Sequence, residues 1–399
     1  MKINKLWGVK TLLIAGLLLG FSSQLQNATP LEHPRKIVVF KKSFKKLDDQ
    51  DALLENSGAV KVKHLPSINS SAVYLSPQAE KALHKRAEVL RIDEDLVITA
   101  VEKKEKDKGK SKVQPPEELT WGIDRINADW AWPISTGETI RVAILDTGID
   151  LDHPDLMDNI KGSVNLIKPK KDADDDNGHG THVAGIIAAC DNDIGVIGTG
   201  PEIYLYAVKV LDKKGKGWLS DLIEGLEWCI QNEVQVVNMS LGSLADNQSF
   251  YEAIVNAYEA GITLVAAAGN NGESGGSIDY PAMYAETITA SAVDQFCQFA
   301  LFSSFGPEID IAAPGVDIKS TWMRGSYMIM SGTSMAAAHV TGVVALILTT
   351  SSLPYYDVDG DGIWDPEEVK MRLKDTAEEL GLPPYQQGAG LVRADNVLY

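Results

Sequence analysis

Cysteine is scarce in this 399-residue chain: Cys190, Cys229 and Cys297 make an odd number, too few for a disulfide framework and without zinc-site spacing. No local signature marks any of them as a nucleophile. Long apolar runs are missing too, since residues 11–21 and 340–348 are both too short to cross a bilayer. Basic residues are rare beyond residue 112, where 16 Lys and Arg face 42 Asp and Glu, a formal charge of −26. Such a balance excludes nucleic acid as a partner of that part. The first 112 residues reverse it, with 21 basic residues against 13 acidic. Opposite charge would steer the two parts together and favour cationic ligands; solubility is the other use of so much acid.

The front of the chain reads as removable. In residues 1–28, Lys2, Lys5 and Lys10 precede or flank the apolar run, and polar Ser22-Ser23-Gln24 follow it, the order of a secretory signal peptide. A retained membrane anchor is the alternative. Residues 29–101 form a compact unit: strand 36–40, helix 48–56, strands 59–65 and 72–75, helix 78–87, strand 90–100. A β-α-β-β-α-β order is ferredoxin-like. Residues 102–116 follow as a polar linker, lysine-rich as far as Lys112.

Three later segments carry the parts of one catalytic device: Asp146-Thr147-Gly148, His179-Gly180-Thr181-His182 and Gly332-Thr333-Ser334-Met335-Ala336. A serine hydroxyl is too weakly acidic to attack unaided, an imidazole titrates near neutrality, and a carboxylate fixes its tautomer. The apolar, β-branched run 140–145 is of strand length and ends in the Asp146 turn. That places Asp146 at a strand's carboxyl end, where ligands bind in open α/β sheets. His179 and Ser334 each open a helical pattern, so a backbone N–H beside Ser334 can donate to an oxyanion. Asn270 follows the buried-strand pattern 264–268 and is the natural second donor. Alone, each of these motifs is weak; an Asn-Asn-Gly segment is also an ordinary turn.

Together, in this order, they resemble the subtilisin-like serine proteases. The similarity extends from about residue 121 to 399 and includes Tyr206-Ala207-Val208-Lys209-Val210-Leu211, Asn238-Met239-Ser240-Leu241-Gly242 and Ala268-Gly269-Asn270. The resemblance implies a mostly parallel sheet with helices on both faces, and a secreted endopeptidase made as a zymogen. By it, Asp146, His179 and Ser334 are the triad, Asn270 holds the oxyanion, and residues 29–101 are an inhibitory propeptide that assists folding. Protein and peptide substrates would lie as an extended strand between Gly215-Lys216-Gly217 and Ser240-Leu241-Gly242. His182 and His339 are expected to be structural, bonded within their helices. Where the family usually has Ser-Pro before His339, this chain has Ala337-Ala338, a difference expected to tune rather than change the reaction. Asp279, just before Tyr280-Pro281, replaces a commonly small residue at the base of the pocket for the side chain preceding the scissile bond. A carboxylate there favours Lys or Arg; turned to solvent or paired with a neighbour, it leaves a broad apolar preference.

Calcium is the expected cofactor. Residues 357–368 fit the twelve-residue EF-hand loop, with Asp357, Asp359, Asp361, the Ile363 carbonyl, Asp365 and Glu368 as ligands and Gly362 at the sixth position. An acidic surface turn is the other reading. The resemblance adds a second site from Asp155, Asn192 and the carbonyls of Cys190, Ile194 and Val196, with Glu117 nearby. The acidic segment 172–177 is either a third ion site or an acidic solvated loop. Expected, then, is a secreted monomer without stable membrane association. The alternative is a catalytically silent relative acting as a calcium-dependent binding module.

Overall fold

The computed structural model describes residues 33–101 and 114–398. The signal-peptide expectation, residues 1–28, and most of the linker fall outside the described residues.

The first unit runs β1 (Arg35–Phe40), α1 (Leu47–Asn56), β2 (Val60–Leu65), β3 (Ser70–Tyr74), α2 (Pro77–Leu83) and β4 (Val89–Glu94). Its strands form one sheet in the order β2-β3-β1-β4, with all three pairings antiparallel. Strand β1 is buried along its whole length. Because successive side chains point to opposite faces, Val38 and Phe40 pack with Leu54 and Leu83 of the unit's own helices. Ile37 and Val39 face the other way and join Leu222, Leu226 and Ile254 of the following domain. The sheet is thus sandwiched between its own two helices and two helices of its neighbour.

One expected element is corrected. Residues 90–100 are not one strand: the run breaks at Asp95, and β5 (Val97–Ala100) leaves the sheet. The cause is a helix start in the next domain, where Ser220 donates to Asp95 through both its N–H and its hydroxyl, each at 2.9 Å. A carboxylate is favoured at a helix N-terminus by the exposed N–H groups and the dipole.

The second domain continues with α3 (Trp121–Arg125), α4 (Ala128–Ala131), β6 (Arg141–Asp146), β7 (Ile160–Asn165), α5 (His179–Ala188), β8 (Tyr204–Lys209), β9 (Lys216–Trp218), α6 (Leu219–Gln231), β10 (Val236–Met239) and β11 (Leu241–Gly242). It then adds α7 (Gln248–Glu259), β12 (Thr263–Ala267), β13 (Thr287–Val293), β14 (Ile311–Pro314), the hairpin β15 (Ile318–Trp322) and β16 (Ser326–Met330), α8 (Thr333–Leu348) and α9 (Pro366–Asp375). Seven strands make a parallel sheet in the order β14-β13-β12-β10-β6-β8-β7. Alternation along β6 divides the interior: Val142 and Ile144 pack against α5 and α8, while Ala143 and Leu145 pack against α6 and α7. Both faces are covered, which is why the strands read as nearly continuous apolar runs. Among the described residues no helix is long and apolar enough to cross a membrane.

Candidate active site

Chain direction brings the three motifs together. Asp146 is the last residue of β6, His179 the first of α5, and Ser334 the second of α8. All three are fully buried. His179 Nδ1 lies 2.8 Å from both carboxylate oxygens of Asp146, and the Thr147 N–H donates to Oδ1 at 2.7 Å. Close approach explains the glycines. Gly148 has φ +99°, with the Ala173 carbonyl oxygen 2.1 Å from where a Cβ would stand. A Cβ on Gly180 would meet the Gly148 carbonyl oxygen at 2.1 Å, so only glycine lets α5 start against the Asp146 turn.

The acidic segment 172–177, read as either an ion site or a solvated loop, makes hydrogen bonds and an ion pair around the start of α5. Asp175 is buried and accepts from the N–H groups of Asn177, Gly178 and Thr181 and from the Thr181 hydroxyl, which fixes the start of α5 beneath His179. Asp174 accepts from the Leu151 N–H, and Asp176 pairs with Lys209 at 2.7 Å. His182 is also corrected. It bonds not within its helix but to the carbonyls of Ile318 and Met328 on the β15–β16 hairpin, both at 3.1 Å. His339 does bond its own helix, at the Met335 carbonyl, 2.8 Å away. Helix α8 starts at Thr333 despite the absent proline.

Strand β5 lies in the cleft beside these groups. It is the middle strand of an antiparallel trio, pairing Val97 with Trp218, Ile98 with Gly217 and Thr99 with Lys216 on one side. On the other, Ala100 pairs with Leu241 and Thr99 with Gly242. The Ala100 N–H donates to the Gly215 carbonyl and the Val101 N–H to that of Ser240. The two segments expected to hold a substrate strand therefore hold residues 97–101 of the same chain. At its end, the Val101 carbonyl oxygen accepts from Ser334 Oγ at 2.5 Å.

Asn270 completes the arrangement. Its Oδ1 accepts from the Thr333 N–H and hydroxyl, at 3.0 and 3.1 Å, which turns Nδ2 the other way. That Nδ2 is buried and has no hydrogen-bond partner. A Cβ on Gly332 would lie 3.1 Å from the Val101 oxygen and 3.3 Å from Nδ2, so carbonyl and orphan donor border one spot. A buried donor without an acceptor is costly and marks a place where negative charge would be welcome. Thr333 was not singled out from sequence, although its place beside Ser334 was the signal.

Asp279 sits between the cleft walls: a Cβ on Gly242 would be 2.8 Å from its Cβ, and one on Gly269 would be 2.8 Å from its Oδ2. Asn271 Nδ2 donates to its Oδ1 at 2.9 Å, and burial pushes the carboxyl up to about 6.

The two candidate metal loops differ. Asp357, Asp359 and Asp361 each bring an oxygen within 4.8 Å of the others, the one such group of carboxylates found among the described residues. Asp365 and Glu368 hold backbone N–H groups of the same loop: Asp365 accepts from those of Glu367 and Glu368 to cap α9, and Glu368 accepts from the Val358 N–H at 2.7 Å. The side chain of Ile363 is exposed. In the second loop, Asp155 Oδ2 accepts from the Val196 N–H, while its buried Oδ1 has no partner. Burial drives that carboxyl up to about 7. Around it, Glu117 accepts from the Asn192 N–H, Asn192 Oδ1 from the Ile194 N–H, and the Cys190 N–H donates to the Asp155 carbonyl. A desolvated carboxylate with an orphan oxygen, ringed by oxygen donors, fits a hard cation.

Residues 137–390 match the model of the subtilase family of peptidases. This chain belongs to the subtilase family. It is similar to a thermostable alkaline protease of Halalkalibacterium halodurans, 42% identical over 78% of this chain and 84% of the relative. Subtilisin amylosacchariticus of Bacillus subtilis subsp. amylosacchariticus is 37% identical over 98% of both chains. An alkaline protease of Alkalihalobacillus alcalophilus is 38% identical over 87% of this chain and 85% of the relative. With its parallel seven-stranded sheet flanked by helices, this subtilase is a serine endopeptidase.

Proposed function

We propose that the protein is a secreted, calcium-stabilised endopeptidase made as a self-processed zymogen, with Ser334, His179, Asp146 and Asn270 as its catalytic residues. The observation that carries this reading is the Val101 carbonyl held against Ser334 Oγ beside the unpartnered Asn270 Nδ2. Ser334 Oγ attacks the peptide carbonyl carbon while His179 takes the hydroxyl proton; Asp146 orients His179 and stabilises its imidazolium. The oxyanion is met by Asn270 Nδ2 and the Ser334 backbone N–H at the start of α8. His179 then returns the proton to the leaving amine, the C–N bond breaks, and water repeats the sequence on the acyl-enzyme.

Residues 29–101 serve as inhibitory propeptide, and the first bond cut is Val101–Glu102. The N-terminal unit remains as a product-like strand in the cleft until it is released. Residues 1–28 direct secretion. At Asp279 the reading is a mixed pocket: it accepts the Val101 side chain and, when ionised, a Lys or Arg. Ca²⁺ would be held by Asp357, Asp359 and Asp361 in one loop, with Asp365, Glu368 and the Ile363 carbonyl closing on it, and by Asp155, Asn192, Glu117 and carbonyls of the 190–196 loop in the other. Bound there, it supplies stability to the folded state only.

Casein digestion with and without a serine-directed inhibitor tests the activity and separates it from a silent calcium-binding module. Ser334→Ala should leave casein intact and the precursor uncut. Maturation of that variant in a protease-free host would refute self-processing.

A further inference from the structure

Strand β5 marks the path of a substrate upstream of the cut bond, and the wall beside it carries a feature that peptide cleavage alone does not require. Counting back from Val101, Ile98 is the fourth residue and is buried in an apolar cluster with Leu219 and Leu241. Val97, the fifth, is about half exposed, with a relative accessibility of 48%. It lines a cavity of about 660 Å³ together with Lys63, Trp218, Asp221 and Glu224. Lys63 reaches in from β2 of the N-terminal unit. Its Nζ donates to Asp221 Oδ1 at 2.6 Å, to Glu224 Oε2 at 2.5 Å and to the Leu166 carbonyl at 3.2 Å.

Sequence places both acids for this use. Asp221 and Glu224 stand three apart on α6, hence on one face, one turn above the strand β9 that pairs with the substrate path. Asp221 is nearly buried, with a side-chain accessibility of 5%. Burial lowers the affinity of the Lys63 ammonium for its proton, and the two carboxylates more than offset that, so Lys63 titrates above its ordinary range. Among the described residues, Lys63 is the one cation paired with either acid. When the N-terminal unit departs, the carboxylates lose it, and the cavity, whose remaining charged lining is Asp212, Asp221 and Glu224 against Lys168 and Lys216, opens beside the fifth residue of any peptide bound along β9.

We propose that Asp221 and Glu224 form a subsite for a Lys or Arg side chain at the fifth residue before the scissile bond, and that Lys63 occupies it in the precursor. This rests on the endopeptidase reading above, in which the N-terminal unit is a removable occupant of the cleft. The preferred substrates are therefore extended segments with a basic residue, a bulky aliphatic residue next, and the cut four residues further on. Partial burial strengthens the ion pair relative to an exposed one, while added salt weakens it.

The test uses mature enzyme and peptides carrying residues 97–102, with position 97 as Val, Arg or Glu. At low salt, kcat/KM should rise about five- to tenfold for the Val97→Arg peptide and fall below the Val peptide for Val97→Glu. In Glu224→Gln, and in Asp221→Asn/Glu224→Gln, the Arg-to-Val ratio should drop towards one, and in wild type it should shrink in 0.5 M salt, about where screening reaches a few ångströms. Equal rates for the three peptides, or a ratio unmoved in both variants, would overturn the subsite and leave the endopeptidase reading standing. No cleavage of any of the three would overturn both.

Discussion

The two halves of the molecule solve the burial problem differently. The catalytic domain closes its parallel sheet between its own helices, α5 and α8 on one face and α6 and α7 on the other. The N-terminal unit covers only one face of its sheet; the other is covered by α6 and α7 of its neighbour. Much of the join around that apolar contact is ionic: Lys63 with Asp221 and Glu224, Arg91 with Glu252, Asp95 at the head of α6. The arrangement makes one half self-sufficient and the other dependent, which fits the propeptide role proposed above.

The largest expected effect breaks the chemical half of this contrast. Asn270→Ala removes the orphan donor, together with the Oδ1 that accepts from Thr333, so kcat should fall about 10²- to 10³-fold with little change in KM, the range known from subtilisin for losing one such donor. A loss under tenfold would mean that Nδ2 does not meet the oxyanion. Next comes the dependent half. Val39→Asp, written into the N-terminal unit, puts an uncompensated carboxylate into the shared face with Leu222 and Ile254. Its affinity for the mature enzyme should fall about 100-fold, since burying an unpaired polar group costs roughly 1–3 kcal/mol and the lost apolar contact adds to it. Unchanged inhibition by that variant would show that the join is carried by its ion pairs.

Calcium sharpens the comparison within the catalytic domain. EGTA should lower its Tm by several degrees, roughly what 1–3 kcal/mol means for a domain of this size. The two loops can be separated. Trp364 lies inside the 357–368 loop, so terbium bound there should be sensitised by it, and Asp359→Ala should abolish that emission while leaving most of the EGTA effect. An unchanged Tm in EGTA would sink both assignments.

Legibility followed the same divide. The places of the Asp146, His179, Ser334 and Asn270 motifs were readable because each ends or begins a long apolar element, so strand and helix periods indicated where they fall. Asp175 was left open, since an acidic run before a histidine looks alike whether it binds an ion, is solvated or caps a helix, and only the folded path of residues 177–181 shows the hydrogen bonds it makes. The break at Asp95 was invisible for a related reason. Residues 90–100 alternate well enough for one strand, but the decisive partner, Ser220, lies in another domain. The Lys63 pocket was hidden altogether, as its acids and its cation are separated by more than 150 residues.

The smallest effect concerns Asp279, where the two ways of filling the cleft meet. Desolvation holds its carboxyl up to about 6, while Asn271 gives it one hydrogen bond. Below that pH the group is neutral and the pocket is an apolar slot, consistent with the Val101 carbonyl lying against Ser334 in this structure. Above it the carboxylate seeks a cation, and a substrate lysine, charged throughout, gains what the apolar side chain cannot. The ratio of kcat/KM for Lys over Phe at the residue preceding the cut should therefore rise a few-fold between about pH 5 and pH 8. The pH dependence of the steps common to both substrates cancels in the ratio. In Asp279→Asn the ratio should be flat and low. A wild-type ratio independent of pH would mean that Asn271 and the cleft walls hold Asp279 away from the substrate, and that the pocket selects on size alone.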